Sequence, residues 1–440
     1  MKPFLNAAKL VLTPLAPIHL STGEDFEPTN YVIHESVLHA FDLARVRLSP
    51  EQGRELLQLA SEGNLGRIHG FLRRHRTVFL GASHIHIPVS DGVQKKYVDS
   101  LGKAVQVESD GKSVLNRNFI QRAIFCAADG LPYVPGSGVK GAMRTAWLEA
   151  LNKNRKDPKP VNAREASAWE NQVLQGSFHT SPLRLLKLAD FMPDSADIDR
   201  KIVFARNFKK NPVPVKGTLT AQGRGPSTRV EVILPGQYRA FISEGVIIDP
   251  GTRVQSGMSP IRPDLSSLAR HCNNYSKKRF EKEVAMLRKN GYGDEPWLQR
   301  LEQLLSDIRG RLDSNRAFLV RLGRYGDAET KTVAPLAQIR IMGARGQPPR
   351  FQAESTTVWL AAEDDESKRG LLPFGWALVE IDPQEDCPVL RAWCERERQD
   401  RPDMGAVREK MSRERERIYA EHARFGAGRM EAAAVPSQRD

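Results

Sequence analysis

Apolar and polar positions alternate most regularly in residues 201–208 (Lys-Ile-Val-Phe-Ala-Arg-Asn-Phe) and 228–243, and both stretches predict strands. A looser alternation over residues 8–20, interrupted by Pro14 and Pro17, predicts a first strand, and residues 31–33 and 37–41 read as short extended pieces. Two further strands are expected within 317–333 and 371–381. Helical spacing governs residues 49–80, where Leu56, Leu59, Ile68, Phe71 and Leu72 recur, and residues 131–151, where Val139, Met143, Ala146, Trp147 and Ala150 share one face. Residues 265–312 predict two helices broken at Asn290-Gly291-Tyr292-Gly293. From Glu395 onward Arg and Glu dominate, so the expectation is a solvated helix followed by a disordered end. Strands interspersed with amphipathic helices give an α+β class.

The stretch around which the rest is organised reads Tyr133-Val134-Pro135-Gly136-Ser137-Gly138-Val139-Lys140-Gly141-Ala142-Met143-Arg144. A short apolar run meets a proline and then glycines, and a helix follows, with Ser137 as the expected N-cap. Free N–H groups, the positive end of the helix dipole and glycines that permit close approach suit an anion, most often a phosphate. Lys140 and Arg144, four apart, flank the apolar stripe and are placed to reach the same phosphodiester strand. Gly136, Gly138 and Gly141 satisfy G-x-G-x-x-G, but no strand ending in Asp or Glu follows at the distance ribose recognition needs. A Walker loop fails too, because Lys140 precedes the last glycine. A purely structural turn is the remaining alternative.

These residues carry a resemblance. "YVPGSGVKGAMRTA" is similar to the "IPGSSLKGAxRTA" signature of the RAMP proteins, the repeat-associated RNA-binding subunits of CRISPR effector complexes. The N-terminal "LTPLAPIHLSTGEDFEPTNYVI", and "FLVRLGRYGDAETKTV" with "LLPFGWALVEI" near the C-terminus, agree with it, and together they most resemble the filament-capping subunit of the type III-A (Csm) complex. The resemblance implies two ferredoxin-like (RRM-like) modules with helical insertions. The first spans residues 1–195, with an insertion at about 49–80 and a Gly-rich loop at 135–141. The second spans 196–394, with a basic loop at 209–227, a helical region at 265–312 and a second Gly-rich loop at 323–326, and residues 395–440 form a charged tail. It also implies a non-catalytic subunit that holds the 3′ part of a guide RNA beside backbone and small subunits, with target RNA as a further partner. The expected RNA contacts are His19, Ser21, Gly136, Ser137, Gly138, Lys140, Arg144, Lys209, Lys210, Lys216, Gly323, Arg324, Tyr325 and Lys331. Tyr325 is placed to stack on a base and the basic loop to act as a protruding thumb.

Charge agrees with a polyanionic partner: Lys and Arg number 66 against 53 Asp and Glu, a formal net charge of +13. Cys126, Cys272, Cys387 and Cys394 show no zinc spacing and read as reduced thiols of a cytoplasmic protein, and no apolar stretch is long enough for a membrane. No cofactor or metal is expected. Two catalytic alternatives remain. His19 with Tyr31 is the pairing for a metal-independent, guide-processing endoribonuclease. Asp42, or Asp25, is the residue to consider in a repeating, RNA-cleaving backbone subunit, although neither has companion carboxylates. His84 and His86 share a strand face, read as a structural pair without a third metal ligand.

Overall fold

The structure is a computed structural model that describes residues 4–63, 65–100, 118–153, 162–212, 214–215, 218–219, 227–249, 258–334, 336–342 and 346–433. The chain forms two compact units, each discontinuous in sequence: residues 1–23 with 122–400, and residues 24–121 with 401–440.

The first unit is built on an antiparallel sheet in the order Ala317–Arg321, Trp376–Ile381, Leu5–Pro14, Phe241–Ile248, Leu186–Leu188. Leu10, Val11 and Leu12 are all buried, so the first strand is covered on both faces and needs a partner on each edge. Leu12 lies opposite Phe241 on one side and Val379 on the other. Without the outermost Ala317–Arg321 strand, and with helices Gly136–Asn152 and Leu265–Asn290, the chain order is β-α-β-β-α-β with sheet order fourth, first, third, second. That is one ferredoxin-like arrangement. Strands from both sides of residue 195 share this one sheet.

Both helices pack on this sheet through the face that the sequence marks out: Val139, Met143, Ala146 and Trp147 from one, Leu268, Ala269 and Cys272 from the other, against Leu10, Leu12, Phe241 and Phe318. Glu149 and Arg279 tie the two helices together at 2.7 Å. The long helix ends where expected, at Gly291 in the left-handed conformation (φ 62°), and Glu295–Asp307 follows. A second antiparallel sheet contains Leu372–Pro373, Thr357–Ala362, Arg200–Lys209 and Thr228–Ile233 in that order, and among the described residues it does not repeat the ferredoxin-like order.

The second unit holds a three-stranded antiparallel sheet, Tyr31–His34, Val37–Phe41 and Ser83–Pro88, with helices Pro50–Ser61, Leu65–Arg74 and Arg76–Ala82. Ser49 caps the first of these helices through a reciprocal capping box with Gln52. Here the tail departs from expectation. Met404–Ala433 is a helix whose Met411 and Ile418 are buried, with Met411 in one core with Phe71, Phe79 and Leu80. Gly81 leaves room for Ile418: a Cβ there would lie 2.3 Å from Ile418 Cδ1. Lys410 pairs with Glu35 at 2.6 Å and Arg47 lies over the Tyr419 ring at 4.6 Å, so the charged surface of the helix is also engaged.

Candidate nucleic-acid interface

The Gly136–Asn152 helix starts two residues earlier than its sequence suggests. Pro135 is the N-cap, with φ −59°, and Ser137 lies exposed in the first turn without capping it. The capping role passes to a residue that the motif does not contain: the Gly136 N–H donates to Asp190 Oδ1 at 2.7 Å. Asp190 follows the Leu186–Leu188 edge strand, and Gly136 sits so close to that segment that a Cβ would fall 2.3 Å from the Ala189 carbonyl oxygen. Gly138 and Gly141 have nothing within 4 Å of such a Cβ, so open space faces the backbone at both.

Beside this helix start is an open cleft of about 560 Å³ lined by Ser137, Lys140, Lys187, Asp190 and Glu244, among others. Two ammonium groups face two carboxylates, so its field is mixed. Lys140 donates to the Leu186 carbonyl at 2.7 Å. Burial, and then the neighbouring Lys187, lower its pKa from the ordinary lysine value. Arg144 is exposed and forms a two-pronged ion pair with Glu170. An arriving phosphate therefore competes with partners already in place at Lys140 and Arg144.

The second Gly-rich loop is fixed against the end of the first strand. Gly323 has φ +78° and a Cβ there would lie 2.3 Å from the His19 carbonyl oxygen, to which Arg324 N–H donates at 2.8 Å. His19 is fully buried, with Nδ1 at 2.7 Å from the Glu231 carbonyl, and burial pulls its pKa down to about 4. Glu231 accepts from Ala123 N–H at 2.9 Å and from Arg200 at 3.1 Å. His19 is thus a neutral packing residue at neutral pH, and Tyr31, which donates to the Asn118 carbonyl at 2.5 Å, belongs to the other unit. Tyr325 is only 8% exposed, with ring contacts to His19, Trp359 and Phe374 at 5.6, 5.0 and 5.3 Å. Its side chain is core of the second sheet and presents no stacking platform in this conformation.

Beneath the loop, Arg321 is buried against Glu283 at 2.7 Å and donates to the Phe374 carbonyl at 2.8 Å. Lys331 donates to the Gly323 carbonyl at 2.6 Å. Lys210 is held between Asp327 at 2.7 Å and Glu329 at 2.9 Å; burial works against its charge, but the two carboxylates more than compensate and its pKa is raised. It serves as an internal tie. The Lys209 carbonyl accepts from the Tyr292 hydroxyl at 2.9 Å, and Ser21 accepts from Gly23 N–H at 3.1 Å. Lys216 lies outside the described residues. Around it, Pro214–Val215 and Thr218–Leu219 pair as a short antiparallel ribbon.

Asp42 caps the turn Leu43–Arg45 by accepting from Ala44 N–H at 3.0 Å, and Asp25 is exposed. His86 faces His39 across the ladder, Nδ1 to Nδ1 at 3.0 Å, a partner that its spacing from His84 does not disclose. Among the described residues no group of three or more His, Cys, Asp or Glu is placed to hold a metal, and no helix is long and apolar enough to cross a membrane.

The model of the RAMP superfamily matches residues 12–326, from the first strand through the second Gly-rich loop. The chain belongs to the RAMP superfamily. No curated protein matches it. Among solved structures, a chain of a Csm–crRNA–target RNA ternary complex of a type III-A CRISPR-Cas system is 16% identical, with a TM-score of 0.49, covering 85% of this chain and 100% of that one. The Csm5 of T. onnurineus is also 16% identical, with a TM-score of 0.49, covering 83% of this chain and 99% of that one. This RAMP chain thus carries both Gly-rich segments, although much of the polar equipment around them already has internal partners.

Proposed function

We propose that this RAMP protein is a non-catalytic RNA-binding subunit of a type III-A CRISPR ribonucleoprotein, capping the backbone filament over the 3′ part of the guide RNA in the cytoplasm. The observation that carries the reading is the family match over residues 12–326, which includes the helix start at Gly136 and the loop at Gly323. Supporting it, Gly138 and Gly141 leave the helix backbone approachable, and the formal charge is +13. A subunit serving many spacer sequences grips phosphates and 2′-hydroxyls and does not read bases. The non-catalytic reading is further supported by His19, which is buried and neutral, and by Asp42, which accepts from Ala44 N–H as a turn cap.

Tagged protein is expected to co-purify a guide RNA with neighbouring Csm subunits, one copy per assembly. Affinity for that RNA should fall with salt, log K against log salt having a slope of about −0.7 per phosphate contacted. A salt-independent affinity, several copies per guide, or cleavage of repeat RNA in EDTA that disappears in His19→Ala overturns the reading.

A further inference from the structure

Between the second Gly-rich loop and the strand Thr357–Ala362 the chain forms a feature that no motif accounts for. Ile339–Ile341 and Arg350–Gln352 pair as a two-stranded antiparallel ribbon, with Arg340 directly opposite Phe351. Side chains alternate across a ribbon, so Arg340, Phe351 and Met342, two residues beyond Arg340, share one face. That face is open: Phe351 is 60% and Met342 73% exposed. Arg350 is exposed as well. A lone exposed apolar residue is ordinary, but a Phe and a Met beside an arginine on an isolated ribbon gain nothing from folding.

The electrostatics select the partner. From Thr330 to Ala353 the sequence contains no Asp or Glu. The two flanking acids are neutralised, Glu329 by Lys210 and Glu354 by Lys282. Among the described residues neither Arg340 nor Arg350 has a carboxylate partner. The position is equally specific. Lys209 pairs with Thr357 at the end of the second sheet, so the basic loop leaving Lys209 and the ribbon entering Thr357 spring from neighbouring strands at the same end. Their roots are tied: Lys210 N–H donates to the Thr356 carbonyl at 3.0 Å, and Glu329, which holds the Lys210 ammonium, accepts from Ser355 N–H at 2.7 Å. Through Asp327 the same lysine reaches the second Gly-rich loop.

We propose that the ribbon Ile339–Ile341/Arg350–Gln352 is a second RNA-binding hairpin, Phe351 and Met342 packing on an unstacked base while Arg340 and Arg350 hold flanking phosphates of a single strand. An aromatic face beside guanidinium groups, without acids, is the chemistry that single-stranded RNA takes without sequence preference. The inference rests on the RNA-binding reading above.

The test uses the full chain with its guide RNA. Arg340→Glu with Arg350→Glu should weaken binding at least tenfold and make the salt slope shallower by about 1.4, two contacts at 0.7 each. Phe351→Ala alone should weaken binding about tenfold with little change in slope. Both variants should melt with the wild type, since these side chains are exposed. Independently of folding, ultraviolet crosslinking of the wild-type complex followed by mass spectrometry should place nucleotide adducts on the peptide containing Phe351. Wild-type protein that binds no RNA overturns the functional reading itself. Wild-type binding with unaltered variants and no adduct on this peptide overturns only the ribbon. Variants that keep RNA but lose a neighbouring subunit assign the ribbon to protein contact and overturn it as well.

Discussion

Substituting the three glycines of the central motif one at a time separates steric need from ligand approach. Gly136→Ala drives a methyl group to 2.3 Å from the Ala189 carbonyl oxygen and 2.7 Å from that of Leu188, both backbone atoms that cannot rotate away. The helix start must retreat from the edge strand, straining the Gly136 N–H bond to Asp190 and the Lys140 bond to Leu186. Overpacking costs about 1–3 kcal/mol and a weakened charged hydrogen bond about 1.5–3 kcal/mol, so a loss of about 3–5 kcal/mol is expected. Gly141→Ala, inside the helix with nothing within 4 Å, should instead stabilise by about 0.5–1 kcal/mol. Gly138→Ala, equally uncrowded but in the first turn, should be close to neutral. Urea unfolding of the three variants measures this directly. If a phosphodiester approaches this backbone, the alanines at 138 and 141 weaken RNA binding even though the free protein is no less stable. Equal stability of Gly136→Ala and wild type, or destabilisation by Gly141→Ala, would refute the account of the helix start.

In the second unit, Ile418→Ala should remove about 2–4 kcal/mol, because Ile418 is buried against Gly81 and the vacated space cannot collapse fully; protease protection of the segment 24–121 reads it. Burial holds His39 at about 4 and His86 at about 3, below the ordinary 6.5. The unfolded chain therefore takes up protons that the folded unit refuses, so stability present above pH 6.5 is lost as pH falls towards 4, by up to about 1.4 kcal/mol per pH unit for each imidazole. Thermal melts at pH 7 and pH 5 should show the loss, and His39→Gln should reduce it; an unchanged pH dependence in that variant contradicts the assignment.

Local order was legible wherever a period or a breaker was strong. The apolar stripe of Val139, Met143 and Trp147, the stop at Gly291 and the alternation after Lys201 each specify an element by themselves. Partnership between strands was not, since nothing in residues 5–14 states that they pair with residues 241–248, more than two hundred positions away. The final helix was hidden by composition: Val407, Met411 and Ile418 keep a heptad-like spacing, but Arg and Glu surround them, and Gly81, which admits Ile418, lies in a distant segment. At the candidate interface the residue types were readable and their commitments were not. Asp190 takes the first N–H of the motif, Lys210 is locked by Asp327 and Glu329, and Tyr325 is core, all through contacts that only the fold creates.

The way the second unit is assembled has a consequence during synthesis. Its first part ends at residue 121 and its second begins at 401, so 279 residues are translated in between. At about 5–20 residues per second, the surface around Phe71, Phe79 and Leu80 waits about 14–56 s for Met411 and Ile418 to emerge and cover it. Throughout that interval the nascent chain displays an apolar face while the larger unit is still being made. Chaperone dependence of expression should therefore track codon speed across residues 122–400, a stretch that contributes nothing to the face being protected.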